Sequence, residues 1–258
     1  MQTVNTLGVN VVGGVTHIVA VTLVGLVNLG AQMLSKAGTV AGYIHNAGIT
    51  AYTLNPVNGS LILGISPSIY KHGMGGAALP AITAFLTGQS NGVVTAPSGV
   101  RTQVKNNKLA GMHKKWFNNT CNAIQQVVNG NYGFTNNAVY PWVMHTRANN
   151  AHKPCLVYTQ YQYIQSALHV ILHCRAQHLY MLGYNVQLQA MQLLQICHKL
   201  QLPVGKVTLV CNNHHVLAHQ NPMAVYTQPN RYARGTIAPN TTANLVNAIT
   251  AHYNQFSG

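Results

Sequence analysis

No aspartate or glutamate occurs among the 258 residues, so neither the fold nor any site can draw on a side-chain carboxylate. An average soluble chain is about 25% charged, with acids making up roughly half of that. Here 5% of residues are charged, all of them Lys or Arg. Amides are abundant instead, with 27 Asn and 18 Gln. Pairs such as Asn118-Asn119, Gln125-Gln126, Asn136-Asn137 and Asn149-Asn150 stand where acidic surface pairs usually stand. The sequence reads as one in which acids have been written or engineered as amides. An intact mass of the natural protein checks this, because each acid is heavier than its amide. The net charge of +14 then reflects missing acids rather than added bases, since Lys and Arg together number only 14. A basic balance of that origin is a weak argument for nucleic acid. The densest basic stretch, Arg101 to Lys115, reads as a solvated helix or loop face.

The length suits a real hydrophobic core, and 48% apolar content is ordinary for a globular chain. The expectation is a single domain over 1–258, with an apolar N-terminal extension (1–30) and a C-terminal tail and helix (221–258). Five cysteines, an odd number with no C-x-x-C, read as free thiols in a reducing compartment, hence a cytoplasmic protein. The run Val11–Val27 is interrupted by Thr16, His17 and Thr22 and is short for a span, so it reads as buried rather than transmembrane.

Along the chain, 26–38 has helical spacing and ends at a lysine and a glycine. Residues 49–65 alternate around Asn55-Pro56-Val57-Asn58-Gly59 and predict a hairpin. The glycines of 73–76 form a loop without phosphate-binding spacing. A short helix is expected near 78–88 and a loop or edge strand at 92–100. An apolar stripe from Leu109 through Trp116, Cys121 and Ile124 to Val128 predicts a helix over 108–129, broken by "NGNYGF". Three β runs follow at 140–147, 155–164 and 168–174. The best helix covers 185–200, a turn and buried strand 202–211, and a terminal amphipathic helix 241–256. The whole predicts an α+β fold, a mixed or antiparallel sheet covered by one long helix.

The chemistry concentrates in an ordered series: "GNYGF" (130–134), Pro154-Cys155, Gln160, "HCRAQH" (173–178), "GYN" (183–185), a long helix, "LPVGKV" (202–207) and "NNHHVLAH" (212–219). This order resembles the thymidylate synthase and deoxypyrimidine hydroxymethylase superfamily over about 108–220, with no single motif intact. The resemblance implies a thymidylate-synthase-like fold and one-carbon transfer to carbon 5 of dUMP or dCMP, with 5,10-methylenetetrahydrofolate as cofactor. Cys155 is the implied nucleophile. A thiolate adding to carbon 6 turns the ring into an enolate whose carbon 5 can attack an electrophile. Arg175 is the implied phosphate clamp, and a neighbouring guanidinium also favours an ionised thiol. The resemblance further implies that Asn185 reads the base edge and that His215 reaches the base carbonyl through water. It places Gln160, Tyr132 and Asn213 at the substrate, with Arg147 a weak substitute for the partner-subunit arginines. Residue types alone also allow Cys155 to be a small buried hydrophobe, Asn185 a helix N-cap and Tyr132 a turn aromatic. Cys121, Cys174, Cys197 and Cys211 sit in apolar stripes and read as core. The histidine pairs His215/His219 and His169/His173 lack a third ligand, so no zinc site is expected.

The sequence departs from the family pattern. Leu156 follows the nucleophile where a histidine is common, Ala176 and His178 replace a serine and an acid, and Leu217 replaces a tyrosine. "GYN" lies one residue nearer Arg175 than the family spacing. The proton relay of these enzymes uses a carboxylate, so the resemblance implies impaired turnover for this chain and turnover in a form carrying acids. The competing readings are a non-catalytic relative that binds nucleotides or serves structure, and a basic nucleic-acid binder. A fluorescent monophosphate titrated at two salt concentrations separates these, since duplex binding falls steeply with salt.

A homodimer packed through the sheet is implied by the resemblance. It is also suggested by apolar or aromatic residues on both faces of 155–164, with Val157, Tyr161 and Tyr163 on one face and Leu156, Tyr158 and Ile164 on the other. The intrachain alternative has segment 1–30 covering the second face. Sedimentation at micromolar concentration in screening salt is expected to show a dimer; a clean 27.8 kDa species contradicts it.

Overall fold

The computed structural model describes residues 6–63, 66–68, 93–95, 101–103, 108–131, 138–143, 155–223 and 233–235. Strands β1 (Gly8–Val12) and β2 (Val15–Ala20) form a hairpin. Its turn is Gly13-Gly14, both at positive φ (58° and 77°), the conformation a two-residue hairpin turn demands. Helix α1 (Leu23–Ser35) follows, its first turn capped by the Thr22 hydroxyl accepting from Gly25 N at 3.0 Å. Then come β3 (Thr39–Val40), β4 (Tyr43–Leu54), β5 (Ser66–Ser68), β6 (Val93–Thr95) and β7 (Arg101–Gln103). Helix α2 (Lys108–Val128) leads to β8 (Ala138–Val143), β9 (Leu156–Ile164), β10 (Ala167–Cys174) and β11 (Gln177–His178). Helix α3 (Leu179–Leu200), β12 (Val204–Leu217) and β13 (Ala233–Gly235) complete the order.

One mixed sheet runs β1-β2-β4-β12-β10-β9-β8, with β3 added to β4 and β11 to β12. Strands β2 and β4 are parallel, joined across α1, and β10 and β12 are parallel, joined across α3. The other pairings along this path are antiparallel. Strands β5 and β13, and β6 and β7, form two separate small ladders.

Alternation along the strands separates two faces. Ile18, Tyr52, Leu54, Val207, Leu209, Val170 and Tyr161 share the inner face and are buried with residues of all three helices in one core. Helix α1 lies close over the sheet: a Cβ on Gly30 would meet the Tyr52 ring at 3.0 Å. Leu26 of α1, Ile124 of α2 and Ile196 of α3 are each at most 1% exposed. The opposite, outer face carries Thr53, Thr208, Ile171, His173 and Gln160, all half-buried.

Several expectations are corrected. The sheet is covered by three helices rather than one. The described residues of segment 1–30 do not cover the second face, because β1 and β2 lie in the sheet plane at its edge and α1 packs on the same face as α3. The 49–65 hairpin is only a turn. Asn58 and Gly59 do take positive φ (48° and 73°), and Val57 bridges Ser60, but the second arm bridges Thr22 through Ile62. Strand β4 has both edges occupied by β2 and β12 there, so no edge is left for a returning arm. Helix α3 begins at Leu179, six residues before the predicted start, with His178 as its N-cap. A register shift beside Cys174 moves Leu156 to the inner face, where it is 3% exposed. The expected features at 73–76, 78–88 and 241–256 lie outside the described residues.

Helix α3 is buried on nearly every side. That burial includes Gln187, Gln189, Gln192 and Gln195, each at most 1% exposed. Gln189 donates to the Tyr161 hydroxyl at 2.6 Å. Both amide atoms of Gln187 and Gln195, and the Gln192 nitrogen, have no hydrogen-bond partner. A buried polar group left unpaired costs about 1–3 kcal/mol. Gln195→Met, which keeps volume and removes the polar atoms, is therefore expected to stabilise the fold by about 1–3 kcal/mol. A denaturant midpoint that stays put or falls would show that the amide is satisfied.

Candidate functional site

Parallel strands β10 and β12 end on the same edge of the sheet, where β9 and β4 begin. Ligand crevices in sheets with parallel strands form outside such carboxyl ends. Cys155 sits at the mouth of β9, and its carbonyl accepts from the Arg175 backbone N–H at 2.9 Å. The thiol is half-buried, whereas the other four cysteines are buried. Burial pushes the thiols of Cys121, Cys197 and Cys211 up to about 12 and raises Cys174 as well. Arg175 is exposed just beyond β10.

Strands β4, β12 and β11 are adjacent here and carry two rows of polar side chains on opposite faces. Asn46, His214 and Gln177 occupy the inner row, and His45, His215 and His178 the outer row. A register irregularity between Cys211 and Asn213, opposite Gly48 at φ +102°, changes the phase of β12. Cys211 and His214 therefore both point inward although they are an odd number of residues apart. Gly48 holds a left-handed conformation there that other residues rarely adopt.

The inner row is uncharged, with His214 and Gln177 buried and Asn46 half-buried. The Tyr52 hydroxyl hydrogen-bonds to the His214 ring through Nδ1, with the rings edge to face at 5.1 Å. Asn185 donates to Gln177 Oε1 at 2.9 Å, and Gln177 donates to the His178 carbonyl at 2.8 Å. Asn46 donates to Thr50 Oγ1 at 3.2 Å. The outer row is half-buried and open to the exposed Arg175. His178 and His215 pack edge to face at 5.3 Å, and Tyr43 packs on His215 at 5.4 Å. Burial lowers the His215 pKa, opposed by a bond to the Asn213 backbone and aided by the charges of His45 and Arg175.

Of the residues singled out in the sequence, Cys155, Arg175 and His215 are brought to one edge. Asn185 is not an N-cap but lies inside α3, tied to Gln177 beneath the sheet. Gln160 faces outward five residues up β9, roughly 16 Å from Cys155 at about 3.3 Å per residue. Asn213 is exposed beside the irregularity and meets the His215 ring through its backbone. Tyr132 and Arg147 lie outside the described residues. Three residues of this edge escaped the sequence reading: His178, noted only as a departure, and Tyr43 and His45, whose strand was predicted to begin at 49. The only signal for the latter two was a weak alternation ahead of Gly48. Among the described residues no three ligating side chains converge on a metal position, and no helix is long and apolar enough to cross a membrane.

His214 makes stability depend on pH. Burial first, then the neighbouring His215 and His178, hold its pKa down to about 3 from 6.5. Between these values the unfolded chain binds a proton that the folded chain refuses. The stability present above pH 6.5 is therefore lost as pH falls toward 3, by up to about 1.4 kcal/mol per unit. Urea midpoints are expected to fall between pH 6.5 and 4, with a shallower fall in His214→Gln. Equal slopes in the two proteins would remove His214 as the source.

No protein-family profile matches this sequence, and no curated protein is significantly similar to it.

Proposed function

We propose that this edge binds a pyrimidine deoxynucleoside monophosphate and that Cys155 adds to carbon 6 of the base, preparing carbon 5 for one-carbon transfer from a methylenetetrahydrofolate-type donor. One observation carries the reading: the one cysteine that is not fully buried is held by its carbonyl to the backbone of Arg175, an exposed cation on the same edge. A thiol and a guanidinium so placed suit a nucleophile beside a phosphate clamp. The thymidylate-synthase-like arrangement of the fold belongs to the same proposal, supported by the mixed sheet with helices packed on one face.

A second reading, nucleotide binding without turnover, has its own support. Asn185 is held by Gln177 rather than presented to a base, and the chain has no side-chain carboxylate for a proton relay. Tritium release from carbon 5 of dUMP separates the two. Cys155→Ser is expected to abolish release while leaving monophosphate affinity within about threefold, because addition needs a thiolate and binding does not. Arg175→Ala is expected to weaken monophosphate binding by about 2–4 kcal/mol, with little effect on the nucleoside. Release that survives in Cys155→Ser removes the thiol from the mechanism, and equal losses for nucleoside and nucleotide remove Arg175 as the clamp.

A further inference from the structure

Three imidazoles stand side by side across three neighbouring strands. His45 is the register partner of His215, and His215 of His178, so all three leave the outer face in one row. Side chains directly opposite one another on adjacent strands have Cβ atoms about 5 Å apart. The His178 and His215 rings are 5.3 Å apart, and Tyr43 closes the row at 5.4 Å from His215. Arg175 stands exposed at the rim, near enough for its charge to act on His215. The buried Nδ1 of His45 has no hydrogen-bond partner.

This row lacks a counter-charge. His45 and Arg175 oppose protonation of His215, and His215 and His178 oppose protonation of His214 behind it. Elsewhere a carboxylate would balance such a group, but this chain has no acidic side chain. A bound anion would supply the negative charge that no side chain of this chain can. A cation fits poorly, because Arg175 repels it and His178 Nδ1 already accepts from Tyr180 N at 3.2 Å as the N-cap of α3. The N-terminus of that 22-residue helix is capped by His178 of the row, so its positive end lies next to the row and adds to the preference for an anion.

We propose that His45, His215 and His178, with Arg175 at their rim, form a binding site for a phosphate-type dianion. The site deepens the nucleotide reading by giving the monophosphate its own recess, and it rests on that reading only for the rest of the ligand. Binding is coupled to proton uptake at His215, since a dianion offsets the burial and the neighbouring positive charges that disfavour its cation. The groups facing His215 are His45 and Tyr43 from β4, Arg175 from the link after β10 and His178 from β11, with Tyr180 of α3 packed on His178 and His214 on the opposite face of its own strand.

Inorganic sulfate is the probe, because it stays a dianion across the working range and any pH dependence then belongs to the protein. It is titrated at pH 8 and pH 6 at constant ionic strength while the histidine ring resonances are followed by NMR. The expected result is sulfate affinity about three- to fivefold higher at pH 6 than at pH 8, as a rise of about one pH unit in one imidazole midpoint from below 6.5 gives over that interval. The His178 and His215 resonances move, and those of His17 and His198 do not. His215→Gln is expected to lose most of the gain, and His45→Gln serves the same purpose if the first variant folds poorly. Affinity independent of pH, shifts spread over all histidines, or a gain retained in both variants would overturn the site. Tritium release reports Cys155 separately: its failure leaves a sulfate-binding site standing, and loss of sulfate binding leaves the thiol chemistry standing.

Discussion

Strand β12 is the pairing on which the rest of the molecule depends. Its Val207–Leu217 stretch pairs antiparallel with β4, and its other edge pairs in parallel with β10 and then β11. Both parallel crossovers meet at this strand or its neighbour, so α1 and α3 are laid on the same face. The cohesive energy is apolar. Val207 and Leu209 are fully buried against the helices, and removing such side chains from water yields about 1.5–3 kcal/mol each. No side-chain ion pair can contribute, because no acidic side chain exists. Close approach replaces charge in places: a Cβ on Gly205 would lie 2.6 Å from the Leu168 carbonyl, where the β10–β12 register shifts.

The same strand divides the polar residues by chemistry. Inward, Tyr52–His214 and Asn185–Gln177 satisfy one another as neutral groups, and the His214 ring stays uncharged because burial disfavours its cation. Outward, the imidazoles next door remain within reach of solvent and Arg175. Gly48 opposite the register irregularity decides which of two consecutive histidines goes where. Had the alternation continued unbroken from Cys211, His215 would be the buried ring.

The buried glutamines of α3 show what an acid-free chain pays in its core. Their unpaired amides are costly but bearable. Carboxylates at the same depth would be far more costly unless protonated or paired. An amide at a buried position is thus tolerated by this fold, whereas on α2 the neighbouring Gln125 is half-buried and Gln126 exposed.

Local residue chemistry was enough to place most elements: the stripe of α2, the β character of β9 and β10, the turn at Asn58-Gly59 and the core roles of four cysteines. It also marked Cys155 and Arg175, because Pro-Cys before a β run and a lone arginine after the next are short-range signals. The pairing of strands was not legible. Nothing local says that β4 gives both edges to other strands, that α3 starts at Leu179, or that His45, 170 residues from His215 in sequence, lies opposite it. Side-chain direction in a strand has a period of two, so a single irregularity reverses every assignment beyond it. Sequence therefore determined which residues could bear chemistry and which would seek the core. Only tertiary pairing decided that Asn185 is spent on Gln177, that His214 is sealed inside, and that His45, His215 and His178 share one open face.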